Sequence, residues 1–207
     1  SFDKVLVAVG RKPNTSGLEL ENTGISIDEN GFMVVDDKRK TSIENIYAIG
    51  DLTGEPLLAH KATHEGRIAA EVIAGQESAA YDPRAIPGIV FTNPEIAWTG
   101  LQENEAEEKG IEVKVLKFPW SASGRAVSMG ASNGLTKLIT DSETGRILGG
   151  GVAGKNAGSL IPEINLAIEL AATAEDLELS IHPHPTLSET IMEAAESFMG
   201  VPTHYSK

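Results

Sequence analysis

The chain has 207 residues, 41% hydrophobic and 23% charged, with a net charge of −13. That composition belongs to a globular chain of one or two domains with a real core, not to a disordered one. The negative charge excludes binding to nucleic-acid phosphates or anionic lipid by bulk attraction, and the absence of cysteine excludes disulfides, thiolate metal sites and a thiol nucleophile of the chain's own.

No apolar run reaches membrane-spanning length, and no basic-then-apolar leader opens the sequence. With the missing cysteines, this leads us to expect a cytoplasmic protein with neither nucleic acid nor membrane as partner. Ser1-Phe2-Asp3-Lys4 runs straight into Val5-Leu6-Val7-Ala8-Val9, as expected of a piece of a longer protein that starts inside a domain.

Val5 to Val9 reads as a strand buried on both faces and halted by Gly10. Ile25-Ser26-Ile27 and Phe32-Met33-Val34-Val35 flank Asp28-Glu29-Asn30-Gly31 and predict a hairpin. The short basic run Lys38-Arg39-Lys40, preceded by two aspartates, reads as a solvated turn. Ile46-Tyr47-Ala48-Ile49-Gly50-Asp51 predicts a further strand ending in glycine and an acid. A helix then starts near Pro56 and stops at Gly75. Strand, glycine, acid and helix form an α/β crossover, in which ligands lie beyond the strand end near the helix N-terminus. Asp51 is placed there to accept a ligand hydroxyl, with backbone donors at Leu57, Leu58, Ala59 and His60; a plain capping role for Asp51 is the alternative.

Periodicity breaks between Gly75 and Pro87 and then changes character. Strands are expected at Ile89 to Phe91, Glu95 to Thr99, Val113 to Phe118, Leu135 to Thr140 and Ile147 to Val152, the last two forming a hairpin about Asp141 to Gly145. Helices are expected from Leu101 to Lys109, closed by Gly110, from Ser159 to Ala172 with Pro162 in the first turn, and from Thr186 to Met199. The last helix places Glu189, Glu193 and Glu196 on its polar side. Strands grouped before helices imply an α+β fold, an antiparallel sheet with helices on one face, after the partial α/β segment.

The chemistry concentrates in Ile181-His182-Pro183-His184-Pro185-Thr186-Leu187-Ser188-Glu189. Each histidine precedes a proline, which disfavours helical backbone and holds both in extended or turn chain. A sharp turn at Pro185 lets Glu189 fold back on His184, and an imidazole oriented by a carboxylate is a general base near neutral pH. Thr186-x-x-Glu189 is equally a capping box, in which Glu189 bonds backbone and no histidine. Dinucleotide, Walker, zinc-protease and serine-elbow motifs are absent, and Gly149-Gly150-Gly151 ends a strand without dinucleotide spacing. His60, His64 and His204 make a poor metal set, so no metal is expected. Arg125 reads as a packing or subunit-contact residue, and Trp98 and Trp120 as core or interface.

Four segments together resemble the dihydrolipoamide dehydrogenase family of flavoprotein disulfide reductases, in its C-terminal half. They are Val9-Gly10-Arg11-Lys12-Pro13-Asn14, Ala48 to Asp51 with Pro56 to Ala62, Thr92-Asn93-Pro94-Glu95-Ile96-Ala97, and His184-Pro185-Thr186-Leu187-Ser188-Glu189. The resemblance covers essentially the whole chain, and the last motif is the most specific. It implies that residues 1–10 end an NAD-binding domain, 11–80 return to an FAD-binding domain and 81–207 form a dimerisation domain. It also implies that Asp51 holds the FAD ribityl chain, that the backbone at Leu57, Leu58, Ala59 and His60 meets the flavin ring, and that NAD accepts the electrons.

In this likeness His184, chosen over His182 because it opens the His-Pro-Thr element, is the base that takes a dithiol proton. Glu189 orients it, and the pair reaches across a homodimer contact into the partner subunit's active site. The implied partner is the lipoyl-bearing acyltransferase of a 2-oxo acid dehydrogenase complex. The cysteine pair and both pyrophosphate loops precede this region in the family, so the chain alone is expected to be inactive and to retain little FAD. A non-enzymatic homodimerisation module and a part of a soluble transhydrogenase are the alternatives.

Overall fold

The structure, a computed structural model, describes residues 1–205 and divides into two compact units, Ser1–Asp82 and Pro83–Lys207. The first is built round helix α1 (Ala59–Ile73). Pro56 falls before the helix rather than in its first turn, because its carbonyl accepts the Leu58 N–H and closes a turn there. The buried face of α1 carries Ile68 and Ala69 together with Lys61 and Glu65.

Elsewhere in this unit the predicted strands shrink. Val5 to Val9 is exposed and forms no strand, because an apolar strand needs a ladder on its edges and no described residue supplies one. The hairpin keeps its turn, where Asp28 Oδ1 accepts the N–H groups of Asn30 and Phe32, but its pairing is the single bridge Ile27–Met33. Ile46 to Asp51 likewise contributes one bridge, Lys40–Tyr47, before a 3₁₀ turn at Gly50–Leu52.

From Pro83 onward the fold is α+β. Strands β1 (Gly88–Val90), β2 (Ile96–Gly100), β3 (Val113–Pro119), β4 (Leu135–Asp141) and β5 (Ile147–Ala153) form one antiparallel sheet in the order β1-β2-β5-β4-β3. Helices α2 (Glu103–Lys109), α3 (Gly124–Ser128), α4 (Ala157–Glu169), α5 (Ala174–Leu179) and α6 (Glu189–Glu196) complete the unit. α4 packs on β2 and β5, α6 packs on β3 and β4, and α5 packs on α6. The core between sheet and helices takes Leu116, Phe118, Leu138 and Val152 from the strands and Ile161, Ile164, Ile168 and Ile191 from the helices.

Several local departures have clear causes. Gly149-Gly150-Gly151 lies inside β5 rather than at a strand end, and a Cβ on Gly150 would come within 3.0 Å of Ile164, so the missing side chain lets α4 approach the sheet. α4 starts at Ala157 after Asn156 with φ +64°, which puts Pro162 in the second turn at the loss of one helical hydrogen bond. α5 was not foreseen, although Thr173 and Asp176 form a reciprocal capping box. Gly110, with φ +65°, closes α2 as predicted, its N–H bonding the carbonyls of Ala106 and Glu107.

Candidate active site

His184 is held between Pro183 and Pro185, and the Thr186 hydroxyl donates to the Pro183 carbonyl at 2.8 Å. This closes the turn that precedes α6 and brings Glu189, its first residue, back toward the loop. One carboxylate oxygen of Glu189 lies 2.8 Å from His184 Nδ1, and the other accepts the Thr186 N–H at 2.6 Å. The two geometries that spacing offered as alternatives therefore coexist, one per oxygen. The His184 side chain is 74% exposed, whereas that of Glu189 is 18% exposed. The carboxylate is fixed and the imidazole faces solvent.

Burial pushes the Glu189 carboxyl upward. The Thr186 N–H, the His184 bond and the nearby charges of His184 and His204 outweigh this, and the net shift is downward. Glu189 is therefore an ionised acceptor at neutral pH, and His184 Nδ1 must carry the proton that lies between them. In the neutral ring this leaves the other nitrogen, Nε2, bare.

The start of α6 is anchored from the core by a directed chain of hydrogen bonds. Trp120 Nε1 donates to Thr136 at 2.9 Å, the Thr136 and Thr190 hydroxyls are 2.8 Å apart, and Thr190 donates to the Leu187 carbonyl at 2.7 Å. Trp120 is fully buried, and a Cβ at Gly134 or Gly154 would come within 2.3 or 2.4 Å of its ring. The two glycines thus form the slot that holds the indole.

A second pair stands beside the first. Glu193, one turn along α6 from Glu189, bonds both Nδ1 and the backbone N–H of His204. Glu193 is buried rather than on a solvated helix face as the pattern suggested, because the tail folds back there and Tyr205 meets Phe118 edge-on. The Glu193 hydrogen bond and charge raise the His204 imidazole above its ordinary value. His184, Glu189, Glu193, His204, Phe118 and Ser123 border a cavity of about 250 Å³. A third pair involves His182, whose Nε2 lies 2.6 Å from Glu163 on α4 and whose Nδ1 lies 2.7 Å from the Ser180 carbonyl.

The first unit holds the other predicted residues. Gly50, with φ +72°, turns the chain so that Asp51 stands half exposed, 3.3 Å from Arg11. Arg11 also donates to the Leu57 carbonyl. The turn is fixed from behind by buried Glu65, which accepts the Gly50 N–H at 2.5 Å, and by Lys61, which donates to the Gly50 carbonyl at 3.2 Å. Arg39 bonds Glu65 at 3.0 Å and lies 4.4 Å from the Tyr81 ring centre, so the basic run forms a turn whose middle side chain is largely covered rather than solvated. The N–H groups of Leu57 and Leu58 are taken by Glu55 and Pro56, whereas α1 beyond them starts without a side-chain cap.

The dimerisation-domain model of the pyridine nucleotide-disulphide oxidoreductases matches residues 86–195, and the pyridine nucleotide-disulphide oxidoreductase model matches residues 1–66. The chain belongs to this family. It is 51% identical over 199 residues to the dihydrolipoyl dehydrogenase of Haemophilus influenzae, covering 96% of this chain and 41% of that protein. It is 54% identical over 195 residues to that of Thermus scotoductus, covering 94% and 42%. LpdA from Mycobacterium tuberculosis superposes with TM-score 0.84 at 33% identity, over 91% of this chain and 41% of its own. The HOCl-induced flavoprotein disulfide reductase RclA from Escherichia coli superposes with TM-score 0.84 at 30% identity, over 91% and 44%. The chain thus spans about two fifths of the length of the curated relatives it matches.

In this chain Trp120 belongs to the core and Trp98 is partly exposed on the sheet, while Arg125 lies in α3. Among the described residues no group of three or more histidines, cysteines or acids could hold a metal, and no helix is long and apolar enough to cross a membrane. The sequence reading missed the partners Glu163 and Glu193 and the buried hydroxyl chain. Only the repeated His-Pro step marked His182 in advance.

Proposed function

We propose that this chain is the C-terminal part of a dihydrolipoyl dehydrogenase. In that enzyme it supplies the acid–base pair and the subunit contact for oxidising dihydrolipoamide to lipoamide with NAD as acceptor. The observation that carries the reading is the His184–Glu189 bond of 2.8 Å, with the acid pinned by Thr186 and the ring open to a cavity. The homologues named dihydrolipoyl dehydrogenase support it.

Closing a dithiol to a disulfide releases two electrons and two protons; NAD takes both electrons and one proton as hydride, and the other proton goes to water. A thiol of ordinary pKa, roughly 8.5, is mostly protonated at neutral pH, so attack on a disulfide needs a proton acceptor. His184 Nε2 receives that proton, and Glu189 stabilises the imidazolium while fixing the ring's orientation. Because Glu189 is held by the backbone of the same turn, it holds the ring in one orientation.

Bound FAD would carry the electron pair between thiols and nicotinamide. Asp51, half exposed on a turn fixed by Glu65 and Lys61, fits a ribityl hydroxyl, and the first turn of α1 at Ala59 and His60, the positive end of that helix, fits the flavin edge beside Leu57 and Leu58. Residues 1–10 then close an NAD-binding domain, 11–80 belong to the FAD-binding domain, and 81–207 make the homodimer contact that brings His184 to the partner subunit's thiols. The lipoyl-bearing acyltransferase of a 2-oxo acid dehydrogenase complex is the macromolecular partner. The chain by itself retains little or no FAD and has no activity.

In the full-length enzyme that carries this chain, His184→Gln should lower steady-state turnover with dihydrolipoamide at least about a hundredfold, the scale of losing a general base. Unchanged turnover would remove His184 from the mechanism. A non-enzymatic dimerisation module is the second reading, favoured by the dimerisation-domain match. A flavin-coloured, dithiol-oxidising full-length enzyme rules it out.

A further inference from the structure

His184 has a weakness as a base: its ring is 74% exposed, and the one side chain bonded to it is Glu189. Its position therefore depends on the backbone that carries it. Three residues upstream, Ile181 is 99% exposed in this chain, so apolar packing within the chain does not hold the segment from that side. His182 does, with a side chain only 7% exposed.

We infer that His182 and Glu163 are positioning residues for His184, a clamp that ties the loop carrying the base to helix α4. The inference rests on the reading of His184 as the proton acceptor. His182 Nε2 is 2.6 Å from Glu163 and its Nδ1 is 2.7 Å from the Ser180 carbonyl, so the ring spans the loop on one side and the helix on the other. α4 is a rigid anchor, since Ile161, Ile164 and Ile168 bury its inner face against the sheet.

The link from clamp to base is stiff for a covalent reason. Pro183 and Pro185 have φ fixed by their rings, and each of the two histidines precedes a proline, which narrows its own backbone freedom. His182-Pro183-His184-Pro185 is therefore a strut with few soft torsions. The Thr186 hydroxyl braces it at the Pro183 carbonyl. Fixing the His182 side chain at one end fixes the His184 Cα near the other, and Glu189 then needs to set only the ring.

Two substitutions at His182 separate the two anchors, because a glutamine amide reaches where Nε2 was and an asparagine amide reaches only where Nδ1 was. In the full-length enzyme, His182→Gln keeps the reach to Glu163 and should stay within a few-fold of wild-type turnover with dihydrolipoamide. Glu163→Gln keeps an acceptor for the ring and should do the same. His182→Asn and Glu163→Ala release the loop from α4 and should lower kcat about tenfold to a hundredfold, the scale of misplacing a catalytic group by about 1 Å. Flavin content and melting temperature should not track that order.

Wild-type rates in His182→Asn and Glu163→Ala, beside a large loss in His184→Gln, would overturn this inference alone. Losses that follow melting temperature, with asparagine and glutamine at 182 equally affected, would also overturn it. Full turnover in His184→Gln would overturn the parent reading, and this inference with it.

Discussion

Val5-Leu6-Val7-Ala8-Val9 and Ile147 to Val152 are both apolar runs that read as strands, yet the first lies open to water and the second runs through the middle of a sheet. β5 pairs with β2 on one edge and β4 on the other, and α4 covers its face. Val5 to Val9 has no such neighbours among the described residues. The comparison shows that apolar sequence licenses a strand, while ladder partners decide whether one forms. The unit from Pro83 onward holds its strand partners within its own sequence, and the unit ending at Asp82 packs an ionic cluster of Glu65, Lys61 and Arg39 beside a small apolar set.

That cluster offers the largest effect. Glu65→Ala would leave buried Lys61 and the largely covered Arg39 without their counter-charge, which costs about 3–5 kcal/mol when a buried pair is broken. Hydrogen exchange at the Gly50 amide, which donates to Glu65, should accelerate accordingly, and an unchanged rate would show that the first unit is held by something else.

A paired substitution then sharpens the contrast between the two strand-like runs. Ile164→Ala, at a fully buried site against Gly150, should destabilise the second unit by about 2–5 kcal/mol in urea unfolding. Val7→Ser, at a residue 74% exposed, should change stability of this chain by no more than about 0.5 kcal/mol. A large loss at Val7 would mean that this run is packed in solution.

The smallest expected effect is a pH dependence confined to the second unit. His204 is raised above 6.5 by Glu193, so its contribution is fully present below 6.5 and is lost as pH rises through the raised value. Glu189 is lowered from 4.5, so its contribution is present above 4.5 and is lost as pH falls through the lowered value. The melting temperature should decline on the alkaline side of 6.5, and His204→Asn should flatten that decline. An equal decline in wild type and variant would assign it to other groups.

What could be read in advance follows from how local each feature is. β3, β4 and β5 and the turn between the last two follow from alternation and from Asp141 and Gly145, which are neighbours in sequence. The His184–Glu189 bond spans five positions within one turn, so spacing admitted it beside the capping box. His182 and Glu163 are nineteen positions apart and meet only because the loop passes over α4. Glu193 and His204 are eleven apart and meet because the tail returns. The first unit's strands were overread for the converse reason, since their partners are not in the neighbouring sequence.

The account turns on which nitrogen of His184 is bare. Nitrogen-15 NMR of ring-labelled protein, taken with the imidazole neutral, should find the proton on Nδ1, facing Glu189, and none on Nε2, and in Glu189→Gln this preference should weaken. A neutral ring protonated on Nε2, or split evenly between the two forms with Glu189 intact, would contradict the assignment of His184 as an oriented proton acceptor.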